Sequence, residues 1–416
     1  MPMLPRLLSA TTLAALVAAP LATPLAAQAP ALPNAVSAMD STDAPIAAMV
    51  GRLELERYKA TIKGLTKFGD RRQGTDRNRA AIDWIEAQLK SYGCTNTERI
   101  TYDFSPPTPA PRPAGAPAPA PRARPDYPAE GGSHVRGIRQ PVGVNTDSLR
   151  QPNAALRKLN AQPSAPGQRQ EVYCTKVGTT HPDEMYIVGG HMDGIGWGEA
   201  ANDDGSGTAL VMELARVFSS PDVKTDRSIR FVLWNNEETG LNGAAAYVAQ
   251  RQALPGKEEP AGSGKYPEPR WLGMIQHDMM MFDHGMPNAD GTMRKEQRPE
   301  ADVNVEFQSA SKMAAGSQKL AWVFADANER FATDYPATVG QHMTNTDSRP
   351  FQDLIPAISL RENERGAQVG AGWDPQWHQP TDLYSTYTDK DFRLGLNAAQ
   401  TTLGAVARLT GARLAK

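Results

Sequence analysis

From residue 171 onward, short apolar runs alternate with amphipathic stretches. Strand-like runs occur at Glu171–Val177, Met185–Gly190, Ile229–Trp234, Leu272–Gln276, Val303–Phe307 and Ile355–Leu360. Between them, apolar residues recur at helical spacing in Gly207–Phe218, Ala244–Gln250, Ser309–Leu320 and Phe392–Leu409. Alternation of this kind predicts an α/β fold in three layers, a mixed and mostly parallel central sheet with helices on both faces. Ahead of it, Asp40–Tyr92 reads as helical, with Ala80, Ile82, Trp84, Ile85 and Leu89 on one stripe, and Thr97–Phe104 reads as a strand.

The pattern lapses twice. Residues 1–29 carry one basic residue, Arg6, then a Leu/Ala-rich stretch, then the small-x-small sequence Ala27-Gln28-Ala29. This is the layout of a secretory signal peptide, with a flexible segment at 30–44 behind it, and it predicts a periplasmic or secreted protein. The second lapse is Ser105–Pro128, ten of whose 24 residues are proline. Low apolar content continues to about Gln168, so 105–168 is predicted to be a flexible insertion in a single domain spanning 45–416.

Charge narrows the function. The chain has 44 Lys+Arg against 46 Asp+Glu, a formal net of −2, which disfavours a basic nucleic-acid-binding surface. Beyond the leader no apolar run is long enough to span a bilayer. The insertion is locally basic, with a net of +6 between Ser105 and Arg169, on an otherwise acidic body. Only two cysteines occur, Cys94 and Cys174. They exclude cysteine-based zinc and iron–sulfur sites, and their positions beside consecutive strand-like segments make a disulfide plausible in an oxidising compartment.

In open α/β sheets the chemistry gathers at the carboxyl ends of strands. Met185–Gly190 runs into His191-Met192-Asp193, Ile229–Trp234 into Asn235-Asn236-Glu237-Glu238, and Leu272–Gln276 into His277-Asp278. The segment Ala201-Asn202-Asp203-Asp204-Gly205-Ser206-Gly207 opens a helix, and His378 lies in Trp377-His378-Gln379 near the C-terminus. Taken singly each has an ordinary reading, for Asn-Asp-Asp-Gly is a common turn and helix cap. Taken together they supply imidazole and hard oxygen donors suited to zinc or a similar divalent ion. Two histidines and three carboxylates give three ligands to each of two ions when one carboxylate bridges, and one further acid remains for proton transfer. Asp193, two residues past His191, is placed to accept the other imidazole N–H and fix the ring. The glycine-rich Gly194-Ile195-Gly196-Trp197-Gly198 lacks the spacing and the following helix of a phosphate loop.

These motifs resemble the co-catalytic zinc aminopeptidases of peptidase family M28, over roughly Asp40–Phe104 and from Glu171 to the C-terminus. The resemblance implies one zinc held by His191, Asp203 and Asp278, and a second by Asp203, Glu238 and His378. It also implies Glu237 as general base and peptides with a free N-terminus as substrates. Thr346-Asp347-Ser348-Arg349-Pro350-Phe351 is similar to the family's Ser-Asp-x-x-Pro-Phe region, which makes Arg349 a candidate substrate contact. Trp377 stands where some aminopeptidases have a tyrosine and where glutaminyl cyclases, single-zinc relatives, can have Trp. A cyclase, or a carboxypeptidase-type member of the superfamily, is therefore the alternative to an aminopeptidase.

Overall fold

The strands are the buried apolar runs, extended by one to four polar residues at their ends. They are β1 Thr97–Phe104, β2 Gly167–Lys176, β3 His181–His191, β4 Val223–Lys224, β5 Arg227–Trp234, β6 Arg270–His277, β7 Val303–Phe307, β8 Ala337–Gly340, β9 Ala357–Glu362 and β10 Arg413–Leu414. The helices are α1 Asp43–Val50, α2 Leu55–Thr66, α3 Asp76–Ser91, α4 Ala154–Asn160, α5 Gly205–Phe218, α6 Asn242–Arg251, α7 Ala314–Phe331 and α8 Asp389–Thr410. The structure, a computed structural model, describes residues 43–106, 144–282, 302–341, 343, 345–362, 374 and 376–415. The signal peptide read at 1–29 and most of the segment read as flexible at 30–44 lie outside them. Asp43 already belongs to α1, where it is buried between Arg330 and Arg408.

Eight strands form one mixed sheet in the order β1-β2-β5-β3-β6-β9-β7-β8, while β4 and β10 pair separately. The centre, β5-β3-β6-β9, is parallel, and β1, β2 and β7 join antiparallel to their inner neighbours. Side chains alternate between faces. Val172, Cys174, Val188, Phe231 and Leu233 pack under α1, α2, α3, α5, α7 and α8. Tyr173, Ile187, Val232 and Trp234 pack under α6 and the Phe351–Ile355 segment on the other face. Helix α5 is buried along nearly its whole length, and its few polar residues are paired there, Glu213 with Arg216 and Ser206 with Asn202.

Register brings the functional motifs together. His191 lies opposite Trp234, Gly190 opposite His277, and His277 opposite Leu360. The carboxyl ends of β3, β5, β6 and β9 therefore stop at one level. The chain leaves β3 for β5 on one side and then crosses to β6 on the other, so β3 is a topological switch point, where such sheets open a crevice.

Cys94, just past α3, is bonded to Cys174 on β2, with Cα atoms 6.1 Å apart and a sequence separation of 80. Strands β1 and β2 pair from Thr97↔Cys174 to Phe104↔Gly167, so the insertion leaves and re-enters the sheet at one place. The reading of 105–168 as one flexible stretch needs correcting over its second half. Residues 144–166 contain a turn of 3-10 helix at Ser148–Arg150 and helix α4, capped by Asn153. Asn145, Gln151 and Asn160 of this stretch are buried. Its low apolar content concealed a segment held by amide hydrogen bonds. The proline-rich 107–143 lies outside the described residues.

Candidate metal centre

Five segments converge at the carboxyl end of the sheet around a cavity of about 240 Å³ lined by His191, Asp203, Glu237, Glu238, Asp278 and His378, among others. His191 ends β3, and Asp278 follows the last residue of β6. Glu237 and Glu238 follow β5 in a turn closed by the Gly240 and Leu241 amides on the Glu237 carbonyl. Asp203 and Asp204 precede α5. Asp204 caps the helix through the Gly207 amide at 2.8 Å, and it also accepts from the amides of His191 at 3.0 Å and Met279 at 3.1 Å. One carboxylate thus ties the ends of β3 and β6 to the helix start and leaves Asp203 facing the cavity. His378 comes from a loop, with a backbone φ of 57°.

The ligand atoms form two triads, His191, Glu237 and Asp278 in one and Asp203, Glu238 and His378 in the other, each within 4.8 Å of one another. Asp203 also touches both histidines: one oxygen lies 3.4 Å from His191 Nε2 and the other 3.0 Å from His378 Nε2. Glu238 reaches His378 Nε2 at 2.8 Å. Every metal-ligating position read from the sequence is therefore at one site, with Asp203 between the two halves. Of the two other positions singled out in the sequence, Trp377 lines the cavity and stacks on the His378 ring, centroids 3.8 Å apart. Arg349 does not reach it. It is exposed, bonds Asn345 Oδ1 at 2.7 Å, and lines a neighbouring cavity of about 400 Å³.

Asp193 differs in detail from its sequence reading. His191 Nδ1 meets the Asp193 backbone carbonyl at 3.0 Å, while the carboxylate is 3.9 Å away. That carboxylate instead accepts the Glu237 amide at 3.0 Å. Asp193 holds the ring with its main chain and the Glu237 turn with its side chain, a positioning role for both. His277, adjacent to Asp278, is no ligand. Its nitrogens face the Gly189 carbonyl and the Thr402 hydroxyl, and burial lowers its pKa to about 4, keeping it neutral.

Sequence reasoning missed two arginines. Arg361, next to last in β9, is buried and sits 2.9 Å from Asp278. The strand-end rule that found Asp278 applies to it equally, since it directly follows the apolar run Ile355–Leu360. Arg71 lies in a loop that no local pattern singles out. Fully buried, it donates to the carbonyls of Met192 (2.7 Å), Glu199 (2.8 Å) and Ala200 (2.7 Å), clamping two loops that carry ligands.

The electrostatics suit cations. Four carboxyl groups converge on two imidazoles, with Arg361 as the single guanidinium lining the cavity among the described residues. Burial disfavours a charged ring at His378, but Glu238 and Asp203 outweigh it and raise its pKa to about 11. Burial pushes Glu238 up to about 7, despite the opposing pull of His378. Glu237 is raised well above the usual carboxyl range, first by burial, then by Asp347, Glu238 and Asp278. Asp203 is held low, despite its burial, by the two imidazoles it touches, and a pocket that raises both imidazoles and both glutamates is short of positive charge. Imidazole and carboxylate donors at this spacing fit divalent ions of the zinc class.

With this geometry in hand, comparison with known proteins assigns the class. The chain belongs to peptidase family M28, whose model matches residues 171–398. Among its relatives, aminopeptidase YwaD of Bacillus subtilis (strain 168) is 36% identical over 117 residues, 28% of this chain and 24% of that protein. Carboxypeptidase Q of Xenopus laevis is 37% identical over 71 residues, 17% of this chain and 15% of that protein. The matched stretches thus span a quarter or less of these relatives. Among solved structures, the aminopeptidase from Aneurinibacillus sp. strain AM-1 superposes with a TM-score of 0.55 at 19% identity, covering 89% of this chain and 97% of that one. Porphyromonas gingivalis glutaminyl cyclase gives 0.51 at 15% identity, covering 86% and 99%. At these identities the likeness is one of fold, and the fold is shared by both chemistries.

Proposed function

We propose that this chain is a secreted or periplasmic exopeptidase with two zinc or similar divalent ions, acting as an aminopeptidase on peptides with a free N-terminus. The observation that carries this reading is that Asp203 turns one oxygen to His191, beside Asp278, and the other to His378, beside Glu238, which leaves Glu237 free of ligand duty. A cyclase needs one metal, whereas here both halves retain their donors. Export is supported by the N-terminal leader pattern and by the Cys94–Cys174 disulfide, a bond that persists in oxidising compartments.

His191 and Asp278 would hold one ion, Glu238 and His378 the other, and Asp203 would reach both. Bound there, the ions supply Lewis acidity that brings water towards ionisation near neutral pH and polarises the scissile carbonyl. Glu237 borders the cavity with its backbone amide held by Asp193, so its carboxylate is the base that takes the water proton and returns it to the leaving amine. Arg361, 2.9 Å from Asp278, orients its carboxylate. Trp377 walls the cavity beside His378 and offers an apolar face to a substrate side chain.

The test is a substrate panel on zinc-loaded mature protein: aminoacyl-p-nitroanilides, dipeptides, N-blocked peptides and glutaminyl peptides. Cleavage that requires a free α-amine supports the reading. Ammonia release from N-terminal glutamine, or cleavage of N-blocked peptides from the carboxyl end, replaces it with the cyclase or carboxypeptidase alternative.

A further inference from the structure

His378 is carried by a loop and not by a strand end. Its Nε2 faces Asp203 and Glu238, but its Nδ1 has no hydrogen-bond partner among the described residues, whereas the Asp193 carbonyl fixes Nδ1 of His191. Away from the carboxylates its position rests on its main chain and on the stacked Trp377. That main chain is in the left-handed region, which a residue with a side chain keeps only where surrounding contacts demand it.

Such contacts come from the loop's own Gln379, whose side-chain amide donates to the His378 carbonyl at 3.0 Å, and from residues 145–160. The Asn145 amide donates to the His378 carbonyl at 3.0 Å. Gln151, with no exposed surface, sends its side-chain amide to two carbonyls at once, Pro380 at 2.9 Å and Trp197 at 2.8 Å. Asn160 donates to the Gly198 carbonyl at 2.7 Å and accepts the Asp70 amide at 3.2 Å. The loop holding Trp197 and Gly198 lies directly against the His378 loop. A Cβ on Gly196 would meet the His378 carbonyl group at 2.3 Å, and the Glu199 amide bonds Asp382. The segment thus stitches the two loops behind His378 to each other, from outside the sheet.

We propose that residues 145–160 are a positioning clip for His378, with Gln151 its central residue, and that this clip sets the affinity of the second metal position. The inference rests on the dinuclear reading above. It concerns the second part of the long β1–β2 connection, and Gln151 bonds Trp197, Pro380, Asn153 and Arg157 but none of the metal-ligand side chains. Replacing the amide by an apolar group of similar length leaves two buried carbonyls without their donor, so the loop relaxes and the His378 ring with it. Loss of an outer support of this kind typically weakens metal binding by about 10–100-fold.

The experiment is a zinc titration of metal-depleted full-length mature protein against a chromophoric chelator, comparing wild type, Gln151→Met and Leu156→Ala. Leu156 is buried in α4, within the clip, but its side chain makes none of the hydrogen bonds to the two loops, so its truncation reports on general loosening of the segment. The expected result is two zinc ions in the wild type, with one of them at least tenfold weaker in Gln151→Met and the other unchanged. Activity of this variant should recover at saturating zinc. Leu156→Ala should lower Tm comparably and keep both affinities. Should Gln151→Met fail to fold, Gln151→Asn, one methylene too short to span both carbonyls, should show the same selective weakening to a smaller degree. Unchanged affinities in a folded Gln151 variant, or equal weakening in Leu156→Ala, overturns the clip. A wild type that binds a single zinc with full activity overturns the dinuclear reading instead, and the clip with it.

Discussion

The two halves of the metal centre are built by different means. His191 and Asp278 project from adjacent parallel strands whose register is set by ladder hydrogen bonds and by the apolar packing of both sheet faces. His378 comes from a loop placed by Asn145, Gln151 and the Gly196–Glu199 backbone. Asp203 and Glu238 connect them. A strand end is positioned by dozens of cooperative contacts, whereas a loop depends on a few hydrogen bonds, each worth only about 0.5–1.5 kcal/mol net. The sheet-borne half should therefore tolerate distant mutations better, and the loop-borne half should lose its ion first.

Graded chelation is the most drastic way to challenge that contrast. Activity should fall essentially to zero as metal is removed and return with zinc, the first ion leaving at much lower chelator concentration than the second. Elemental analysis alongside the assay follows both steps, and full activity in demonstrably metal-free protein would falsify the metal chemistry altogether. Next in size are the adjacent glutamates. Glu237→Gln should retain both ions while kcat drops by about 10²–10⁴, the usual weight of a general base. Glu238→Gln should instead weaken the His378-side ion, since its carboxylate lies 2.8 Å from His378. Zinc stoichiometry of the two variants decides the matter, and the opposite pattern exchanges their roles.

A third variant probes the frame common to both halves. Arg71→Met leaves the buried Met192 carbonyl and the half-buried Glu199 carbonyl without their donor, while the Ala200 carbonyl keeps the Gly205 amide. On a scale of about 1–3 kcal/mol per orphaned group, denaturant unfolding of the metal-free protein should show a loss of roughly 2 kcal/mol or more. A change below about 0.5 kcal/mol would mean that the two loops are held without it. The smallest effect belongs to Trp377→Leu. Losing a stacked ring, worth about 0.5–1.5 kcal/mol, should raise KM or weaken the His378-side ion a few-fold and leave the His191 side untouched. An equal effect on both ions would remove the distinction drawn between them.

The contrast between strand and loop also explains what could be read early. The segments Met185–Gly190, Ile229–Trp234 and Leu272–Gln276 are apolar because both faces of a central sheet are covered, and the residue after such a run emerges at the sheet's end. That rule leads directly to His191, Glu237, Glu238 and Asp278, and applied once more it reaches Arg361. His378 was legible only through a resemblance of motifs, because nothing in Trp377-His378-Gln379 indicates which loop it will meet. The same limit produced the error over 144–166. Composition reports whether a segment can bury apolar area, and Gln151, Asn145 and Asn160 are buried through hydrogen bonds to partners as much as 233 residues away. Asp193 shows the limit at atomic scale: the spacing His-x-Asp places it beside the ring, but main chain and side chain exchange the expected partners.

Local order of residues by itself determined the α/β alternation, the strands of the central sheet and the acidic and imidazole donors at their ends, because hydrophobic period and strand termination are properties of consecutive residues. Only the tertiary structure decided that Asp203 stands between two triads, that Arg71 clamps the loops beneath them, and that the end of a polar insertion supports His378. Each of those depends on a donor meeting a carbonyl or carboxylate far along the chain, and a hydrogen bond leaves no periodic trace in the sequence that makes it.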